Sequence, residues 1–401
     1  MSNDLYNRFE QRFGSENIDL SAKLPVIAPR DESILPEIIH YFSSEKGCSI
    51  TIRGGGTYAD PVDDSGTVHI SLSRLDRVKE VNPGDFLIVA QAGARVDDAR
   101  EAGIQSGLLL PLDITSGKKS TLGGAYMTAA VSPYSAGYGP FRDYVIGAKC
   151  ITGQGDVVSF GGRTTKNVTG YEITRFLAGT RGLFAVALEL TLKVLPLPEV
   201  RTMISAHFKE GENLPGVVSA VHALGFAVKR FEIAAENGLR NEILAGIGIE
   251  GMEPLVRREV KTVKNILEKA GADSVHEENP ELFMEKRRAI AYRLAGEGLV
   301  TFTAPPSASG SLLGVLRQKF PGMPLLAHPR IGRFHMLSHD ENSVQQLRER
   351  VLAVGGKNPI VWGQIAREGL SSLFTPAERS VALTLKQELD PRGILNPGLR
   401  L

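Results

Sequence analysis

The stretch Ser49-Ile-Thr-Ile-Arg-Gly-Gly-Gly-Thr57 decides the fold, because a short β-prone run passes directly into three consecutive glycines. Residues 49–52 predict a short strand. Glycine lacks a Cβ and adopts positive φ readily, so the backbone N–H groups of Gly54–Gly56 can approach a pyrophosphate closely. Residues 53–57 are therefore a candidate phosphate-binding loop, although about half of such isolated runs are ordinary turns.

Two common nucleotide-binding motifs do not account for this loop. The pattern Gly54-x-Gly56-x-x-Ala59 matches the dinucleotide fingerprint, which needs a helix that opens at the loop, but residues 58–66 (YADPVDDSG) leave no room for one. The run Gly117-Lys-Lys-Ser120 looks like the end of a P-loop, but Leu112 stands where that motif needs a glycine. We therefore expect a phosphate site of another kind.

The first half of the chain contains further segments rich in glycine, small residues and hydrogen-bond donors. In chain order they are residues 110–113 (LPLD), 120–124 (STLGG), 136–143 (AGYGPFRD), 161–171 (GGRTTKNVTGY) and 177–182 (LAGTRG). Hairpin turns alone do not require so many glycine-rich segments. The pattern favours a long ligand that lies extended between two subdomains.

The periodicity of the chain predicts an α+β fold. Helices are predicted at residues 33–46, 96–102 (ended by Gly103), 217–224, 253–270 and 377–389. Strands are predicted at residues 49–52, 68–72, 86–90, 183–194 and 299–303, with a turn at residues 82–85. Helices and strands therefore occur in both halves of the chain.

The length of 401 residues predicts two domains, because a single hydrophobic core usually stops growing at about 250–300 residues. Pro196 and Pro198 mark the first boundary. We expect a first domain over residues 1–198 and a second over residues 199–375. A C-terminal helix and loop, residues 376–401, would return to the first domain.

Composition excludes several classes of function. A formal net charge of +1 gives no global field that would attract nucleic acid or an anionic membrane. The two cysteines, Cys48 and Cys150, form no metal-binding spacing, so any iron–sulfur cluster has to lie in a partner. The N-terminus has acidic residues and no apolar signal segment, and no apolar run reaches the length of a membrane span. We expect a cytoplasmic chain, peripheral to a membrane only through partners.

The motifs within residues 25–198 resemble the FAD-binding PCMH-type domain of the vanillyl-alcohol oxidase superfamily. The segments RGGGT, TLGG, YGPFRDYVIG, GGRTTKNVTGY and LAGTRG occur in the family's order, and LVTFTAPPS and DPRGILNPG continue the likeness towards the C-terminus. The closest likeness is to the smaller FAD-binding subunits of bacterial glycolate oxidases. The resemblance implies a two-subdomain FAD-binding domain followed by an α+β cap domain.

The same resemblance implies which residues bind FAD. Residues 53–57 would hold the pyrophosphate, the segments 111–143 would line the ribityl and isoalloxazine side, residues 182–186 would reach the adenine, and the C-terminal loop would return to the flavin. Some family members tether FAD through a histidine near the first glycine loop, but residues 53–66 contain none, so we expect non-covalent FAD. The implied binding residues are Arg53, Gly54, Gly55, Gly56, Thr57, Pro111, Leu112, Asp113, Ser120, Thr121, Gly123, Gly124, Gly137, Tyr138, Gly139, Arg142, Asp143, Gly182, Leu183, Val186 and Asn396. Leu183-Phe-Ala185 departs from the family's Thr-Leu-Gly, and its bulk could alter the adenine pocket.

The second half keeps only part of the family's metal site. Related 2-hydroxy-acid dehydrogenases bind a metal through two histidines seven residues apart and a glutamate in Glu-His-Gly, whose histidine is the general base. Here His328 and His335 keep the spacing, but Glu368 is followed directly by glycine. The two histidines and Glu368 could hold a divalent metal. The other interpretations are a repurposed substrate pocket, or ordinary core or surface histidines, and the last is the one we favour.

Candidate catalytic residues are Arg287 and His335. Arg287 and Arg288 lie where relatives hold an arginine that could clamp a substrate carboxylate, although a solvated helix face explains the pair equally well. We expect an FAD-dependent subunit of a 2-hydroxy-acid dehydrogenase, of the glycolate oxidase type, that passes electrons to an iron–sulfur partner. The alternative is a non-catalytic FAD-binding subunit that supports a larger homologous flavin subunit, and the missing histidine favours it. A nicotinamide-dependent flavin reductase is a third, remote alternative.

Overall fold

The computed structural model of the chain describes residues 3–19, 26–45, 48–56, 67–114, 119–163, 172–211, 213–294, 299–338, 340–361 and 376–396. Its helices are α1 (Asn3–Phe13), α2 (Leu35–Ser44), α3 (Val96–Gln105), α4 (Leu122–Met127), α5 (Ser135–Tyr138), α6 (Ile173–Leu177), α7 (Leu214–His222), α8 (Glu253–Lys269), α9 (Pro280–Leu294), α10 (Ser309–Lys319), α11 (Glu341–Ala353) and α12 (Pro376–Leu389). Among these described residues, no helix is both long and apolar enough to cross a membrane.

The strands of the first half are β1 (Ile18–Asp19), β2 (Val26–Ile27), β3 (Ser49–Arg53), β4 (Thr67–Ser71), β5 (Val78–Asn82), β6 (Leu87–Gln91), β7 (Leu108–Leu109), β8 (Val145–Thr152), β9 (Val157–Gly161), β10 (Ala185–Lys193) and β11 (Leu195–Pro196). In the described part of the chain they form two main sheets, one ordered β1-β2-β4-β3 and one ordered β5-β6-β10-β8-β9. Strands β3 and β4 are parallel, and Arg53 pairs with Ser71 at their ends. The glycine loop that follows β3 therefore leaves the first sheet at the carboxyl end of its strands.

The strands of the second half are β12 (Val200–Phe208), β13 (Val228–Ala235), β14 (Ile243–Gly251), β15 (Ser274–Glu278), β16 (Leu299–Thr303), β17 (Leu325–His328), β18 (Arg333–Leu337) and β19 (Lys357–Val361). They form one sheet, here called the cap sheet, with the order β15-β12-β14-β13-β17-β18-β16-β19. Neighbouring strands are antiparallel throughout. The α+β architecture expected from the sequence is thus present.

The two faces of the cap sheet differ in chemistry because side chains alternate along each strand. On β14, Ile243, Ala245, Ile247 and Ile249 belong to an apolar core shared with α7, α8, α10 and α11. The alternate positions of the sheet carry Glu250, Arg230, Glu232, Thr301 and His335, most of them buried. A buried polar face is costly unless its groups are paired. This face, here called the polar face, is covered by α9 and by residues of the first half.

A separate core holds the first half together and includes the C-terminal segment. Its members run from Phe9 to Val194 and then include Ala382, Ile394 and Leu395. The Lys386 amine donates to the carbonyl oxygens of Leu183 and Leu395 and to the Asp390 carboxylate. Helix α12 and the loop after it therefore pack on the first half. The division at residues 198 and 375 stays a prediction.

One expectation about the elements needs correction, and one group of strands was not predicted. Helix α3 does not end at Gly103 but continues to Gln105, because the glycine in the left-handed conformation is Gly107, with a φ of 71°, whereas Gly103 stays helical and faces β7, where a Cβ would lie 3.3 Å from the Leu108 carbonyl oxygen. The strands β12–β15 and β17–β19 were not predicted individually, although strands were expected in this half. The remaining predicted helices and strands are present, with bounds shifted by a few residues.

Candidate functional site

A cleft lies between the end of β3, the start of α4 and the turn before β10. It is lined by Ile52, Arg53, Gly54, Leu72, Ala92, Thr121, Gly123, Gly124, Met127, Arg181, Gly182, Val186, Ala187 and Asn396. These residues come from both sheets of the first half and from the C-terminal loop. The cleft is therefore built from segments that are far apart in sequence.

The glycines of this cleft allow its walls to approach one another. A Cβ at Gly54 would overlap the Thr121 side chain, and a Cβ at Gly55 would overlap the carbonyl oxygen of Lys119. A Cβ at Gly123 would lie 2.6 Å from that of Ala92. Such separations are too short for real side chains, so glycine is needed at all three positions. Gly54 and Gly55, expected to meet a pyrophosphate through bare backbone, and Gly123, expected on the ribityl and isoalloxazine side, thus also set the width of the cleft.

Thr121 fixes the start of α4 at the cleft. Its hydroxyl accepts from the Gly124 N–H at 3.1 Å as a helix N-cap. The N–H groups of Leu122 and Gly123 donate to the carbonyl oxygens of Ala94 and Ala92. The first turn of α4 is therefore held by protein contacts, and the glycines at 123 and 124 present small surface to the cleft.

Asn396 ties the C-terminal loop to two walls of the cleft. Its Oδ1 accepts from the Ile52 N–H at 3.0 Å, and its Nδ2 donates to the carbonyl oxygens of Arg181 and Gly182 at 3.1 and 3.0 Å. Its φ of 48° is in the left-handed region, which asparagine tolerates better than most residues. The oxygen and the nitrogen of the side-chain amide thus both link the C-terminal loop to these walls.

The charge of the cleft suits a phosphorylated ligand. Its described lining includes Arg53 and Arg181 and no carboxylate. Small residues and backbone make up most of the remaining surface, which lets an extended ligand approach the main chain. The residues present therefore fit the pyrophosphate and adenosine portion of FAD.

A buried cluster of charges joins the first half to the polar face of the cap sheet. Asp113, Arg230, Glu232 and Arg287 are each 0% exposed. Arg230 and Arg287 donate through Nη2 to Asp113 Oδ2 at 2.8 and 2.6 Å. Arg230 Nε donates to Glu232 Oε1 at 3.0 Å, and Arg287 Nε lies 3.2 Å from Glu232 Oε2. Two cations and two anions therefore balance in one enclosed cluster.

The electrostatics of this cluster keep Asp113 ionised. Burial alone would raise the pKa of its carboxyl, but the positive charges of Arg287 and Arg230 outweigh burial and hold the pKa well below its ordinary value. The Arg230 guanidinium also lies over the Tyr134 ring, 4.8 Å from its centre. Next to it, the Tyr138 hydroxyl donates to Glu250 Oε2 at 2.7 Å. A row of polar contacts thus crosses from α5 to the cap sheet.

The two histidines lie side by side on the polar face. Their ring centres are 5.9 Å apart, and Thr301 Oγ1 is 3.1 Å from His335 Nδ1. Burial, followed by the charges of Arg287 and Arg230, lowers the pKa of His328 to about 3, so its imidazole is neutral. Burial also lowers the pKa of His335 well below its ordinary value. The described residues contain no group of three histidine, cysteine, aspartate or glutamate side chains placed to hold a metal ion.

The model of a family described as "FAD binding domain" matches residues 24–161. The chain carries an FAD-binding domain. Glycolate oxidase subunit GlcD of Bacillus subtilis is 25% identical to this chain over 93% of the chain and 88% of its own length. Glycolate oxidase subunit GlcE of Escherichia coli is 34% identical, over 29% of this chain and 34% of its own length. The solved structure of an alkyldihydroxyacetonephosphate synthase covers 98% of this chain and is itself covered over 84%, with a TM-score of 0.71 and 17% identity, and so shares the fold.

The predicted FAD-binding residues fall into several groups in the structure. Eight of them line the cleft: Arg53, Gly54, Thr121, Gly123, Gly124, Gly182, Val186 and Asn396. Gly55 faces the backbone of residue 119, Gly56 has a positive φ, and Ser120 precedes α4 with only 5% of its surface exposed. Thr57 lies outside the described residues. The sequence prediction omitted Arg181, although it is part of the quoted LAGTRG segment, and Ala92 and Ala187, whose small size is their only signal.

A second group of predicted residues lies at the seam between the FAD-binding domain and the cap sheet. Asp113 belongs to the charge cluster, and Gly137 packs against Lys229, where a Cβ would lie 2.6 Å from the lysine Cδ. Tyr138 is bonded to Glu250, as described above. Pro111 and Leu112 are buried beside them. Because the side chains of Asp113 and Tyr138 contact the cap sheet, these residues would line the flavin side mainly through their backbone atoms, which stays a prediction.

A third group lies away from the cleft. Arg142 is exposed, its Nε is 3.8 Å from Asp143 Oδ1, and Gly139 precedes them with a positive φ. The departure at residues 183–185 does not place bulk in the cleft, because Leu183 is buried in the core and Phe184 stacks on Phe176 with ring centres 5.2 Å apart.

The candidate catalytic and metal-binding residues have different surroundings in the structure. The alternative that places Arg287 on a solvated helix face is wrong, because its guanidinium is enclosed by two carboxylates, whereas Arg288 is 2.7 Å from Asp97 near the surface. His328 and His335 are neighbours, which fits either a former ligand pair or packed histidines. Glu368 lies outside the described residues.

Proposed function

We propose that this chain is an FAD-linked dehydrogenase subunit that oxidises a small 2-hydroxy acid of the glycolate or D-lactate type. The observation that carries the proposal is the likeness to glycolate oxidase subunit GlcD along 93% of the chain, which includes the cap as well as the FAD-binding domain. A cap that matched poorly would have left only the cofactor in common. The shared cap supports a related substrate class.

The proposed reaction converts the hydroxy acid to the 2-oxo acid with loss of two electrons and two protons. FAD, when bound, supplies the acceptor for the hydride from C2, and the hydroxyl proton has to pass to a base. The cleft residues would hold the FAD without a covalent bond. The polar face of the cap sheet, with its neutral histidines, would enclose the substrate, and Arg287 and His335 stay its candidate catalytic residues.

Electrons would leave through a partner that holds an iron–sulfur cluster. The whole chain has two cysteines, too few for a four-cysteine cluster. Burial raises the pKa of the Cys48 thiol to about 11 and that of Cys150 to about 12, so neither is poised as a thiolate ligand. The name of the matched relative identifies it as one subunit of an oxidase. We therefore propose a complex with a larger homologous flavin subunit and an iron–sulfur subunit.

The second candidate function is a non-catalytic FAD-binding subunit. The observation that favours it is the state of Arg287, which contacts Asp113 and Glu232 and has no exposed surface. A guanidinium that already binds two protein carboxylates has fewer N–H donors left for the carboxylate of a substrate. In this alternative the larger flavin subunit oxidises the substrate, and the present chain supports it.

The deciding experiment mixes FAD-loaded protein anaerobically with glycolate and then with D-lactate while the flavin absorbance is recorded. Reduction by either acid, with L-lactate as the stereochemical control, would establish turnover by this chain. Dithionite added at the end shows that the flavin is reducible. A flavin that dithionite reduces but neither acid does would refute the catalytic proposal and leave the supporting subunit.

A further inference from the structure

The two most exposed large apolar side chains among the described residues are neighbours on the cap. Phe226, in the turn between α7 and β13, has 94% of its surface exposed, and Met252, directly before α8, has 68% exposed. Leu255, in the first turn of α8, is exposed as well. Single exposed apolar side chains are ordinary, whereas adjacent ones mark interaction surfaces. Phe226, Met252 and Leu255 are here called the apolar tip.

Strand pairing brings the three side chains of the apolar tip together. Strands β13 and β14 are neighbours, and the Ala227 carbonyl oxygen accepts from the Glu250 N–H at 2.9 Å. Phe226 therefore lies beside the end of β14, from which the chain continues into Met252. The Leu255 N–H donates to the Met252 carbonyl oxygen at 3.1 Å. Two loops at one end of this strand pair thus form a single apolar surface.

Basic side chains border the apolar tip. Helix α8 contributes five basic residues and three acidic ones: Arg257, Arg258, Lys261, Lys264 and Lys269, and Glu253, Glu259 and Glu268. Glu253 is 2.5 Å from Arg257, and Glu259 is buried, 3.7 Å from Arg258. The exposed charge of α8 is therefore positive overall, although the net charge of the whole chain is only +1.

Arg258 is the basic side chain that lies next to the turn of Phe226. A Cβ at Gly225 would be 3.9 Å from Glu259 Oε1, and the same oxygen is 3.7 Å from Arg258 Nη2. Arg257 and Arg258 are both strongly exposed. An apolar centre with a basic border fits the surface of an anionic lipid bilayer, because apolar side chains enter the acyl boundary while arginines stay at the headgroups.

We propose that the apolar tip docks on an anionic lipid surface, with Phe226 and Met252 inserted at the headgroup boundary and Arg257 and Arg258 on the lipid phosphates. The chain would then contact a membrane directly and not only through partners. A second copy of the chain fits this surface less well, because a two-fold contact centred on the apolar tip brings the basic borders of both copies together. The inference goes beyond the proposed function and does not depend on it.

Co-sedimentation of the FAD-loaded protein with lipid vesicles tests this docking. We expect the wild type to bind vesicles that contain phosphatidylglycerol, to bind pure phosphatidylcholine much more weakly, and to be released by salt. Phe226→Ser should weaken binding about tenfold or more, and Arg258→Gln about fivefold. Two matched controls should bind like the wild type: Val381→Ser, at an exposed apolar position of α12, and Lys209→Gln, which removes an exposed cation beyond the other end of α8.

Failure of the wild type to sediment with the anionic vesicles would overturn the proposal. Wild-type binding by Phe226→Ser would also overturn it, since charge alone would then hold the protein on the lipid. Analytical ultracentrifugation tests the other occupant, because a wild-type dimer that Phe226→Ser converts to a monomer would assign the apolar tip to a second copy and refute lipid docking. The emission of Phe226→Trp should shift to the blue on phosphatidylglycerol vesicles, relative to the wild type with its single tryptophan, and an unshifted emission would contradict insertion.

Discussion

Asp113→Asn is the substitution that most directly tests how the FAD-binding domain is joined to its cap. The Asp113 carboxylate is the shared acceptor of Arg230 and Arg287, and all three side chains are 0% exposed. An amide has nearly the same shape but no charge, so two buried guanidinium groups would lose a counter-ion. Removing one partner of a buried ion pair costs about 3–5 kcal/mol. We expect a loss of stability of that size.

Thermal unfolding of the FAD-loaded protein measures this loss. One kcal/mol shifts the melting temperature of a domain of 150–250 residues by about 2–4 °C, so Asp113→Asn should lower it by roughly 6 °C or more. Asp98→Asn, which removes an exposed charge from α3, is the matched control and should change little. A melting temperature within a degree or two of the wild type would show that the cluster does not join the two parts.

The pH dependence of the same difference provides a second check. The pKa of Asp113 is lowered in the folded state, so its ionisation contributes stability that is fully present above the unfolded pKa and lost as the pH falls towards the folded value. The unfolded value is near 3.9. The difference between wild type and Asp113→Asn in denaturant unfolding should therefore be constant from pH 8 to about pH 5 and shrink only below about pH 4. A difference that already shrinks between pH 7 and 5 would contradict the depressed pKa.

Three further substitutions test the cleft and the C-terminal segment. Gly123→Ala places a Cβ 2.6 Å from that of Ala92, so the affinity for FAD should fall about tenfold or more in a fluorescence titration, and an unchanged affinity would contradict the close approach. Asn396→Ala removes three hydrogen bonds worth about 1 kcal/mol each, so both FAD affinity and melting temperature should fall, whereas loss of neither would show that the loop is held elsewhere. Lys386→Met leaves the buried Asp390 carboxylate without its cation and should cost about 3–5 kcal/mol in urea unfolding; wild-type stability would refute that pairing.

The elements that could be predicted from the sequence are those whose pattern is local. Helix α2 buries Leu35, Ile38, Ile39 and Phe42 at helical spacing, and the glycine loop after β3 follows directly from the printed residues. The cap strands lack such a pattern. On β14, Gly246 and Gly248 look like breaks in a strand, but they leave room for the side chains of Phe283 and Arg230 that lie over them. These partners come from another helix and another strand, so no local window contains the reason for the glycines.

The candidate site shows the same limit. The glycine segments of the cleft were found because backbone access to a phosphate has a sequence signature, and the family resemblance supplied their order. The charge cluster has no such signature, because Asp113, Arg230 and Arg287 are separated by 117 and 57 positions. Arg230 was not singled out, and Arg287 was considered for a substrate carboxylate when two protein carboxylates already contact it. Only the folded chain shows which charges meet.

The arrangement of charges has a consequence for how the two parts of the molecule work together. Asp113 follows Pro111 and Leu112 in the FAD-binding domain, while Arg230 and Arg287 belong to the cap. Glu232 pairs with both arginines from within the cap, so a shift of the cap away from the FAD-binding domain would leave two buried guanidinium groups with one carboxylate and would isolate the charge of Asp113. The cap should therefore stay docked on the FAD-binding domain during turnover. If substrate entered by opening of the cap, the Asp113→Asn variant would bind glycolate faster than the wild type, whereas a fixed cap predicts equal association rates in stopped-flow mixing.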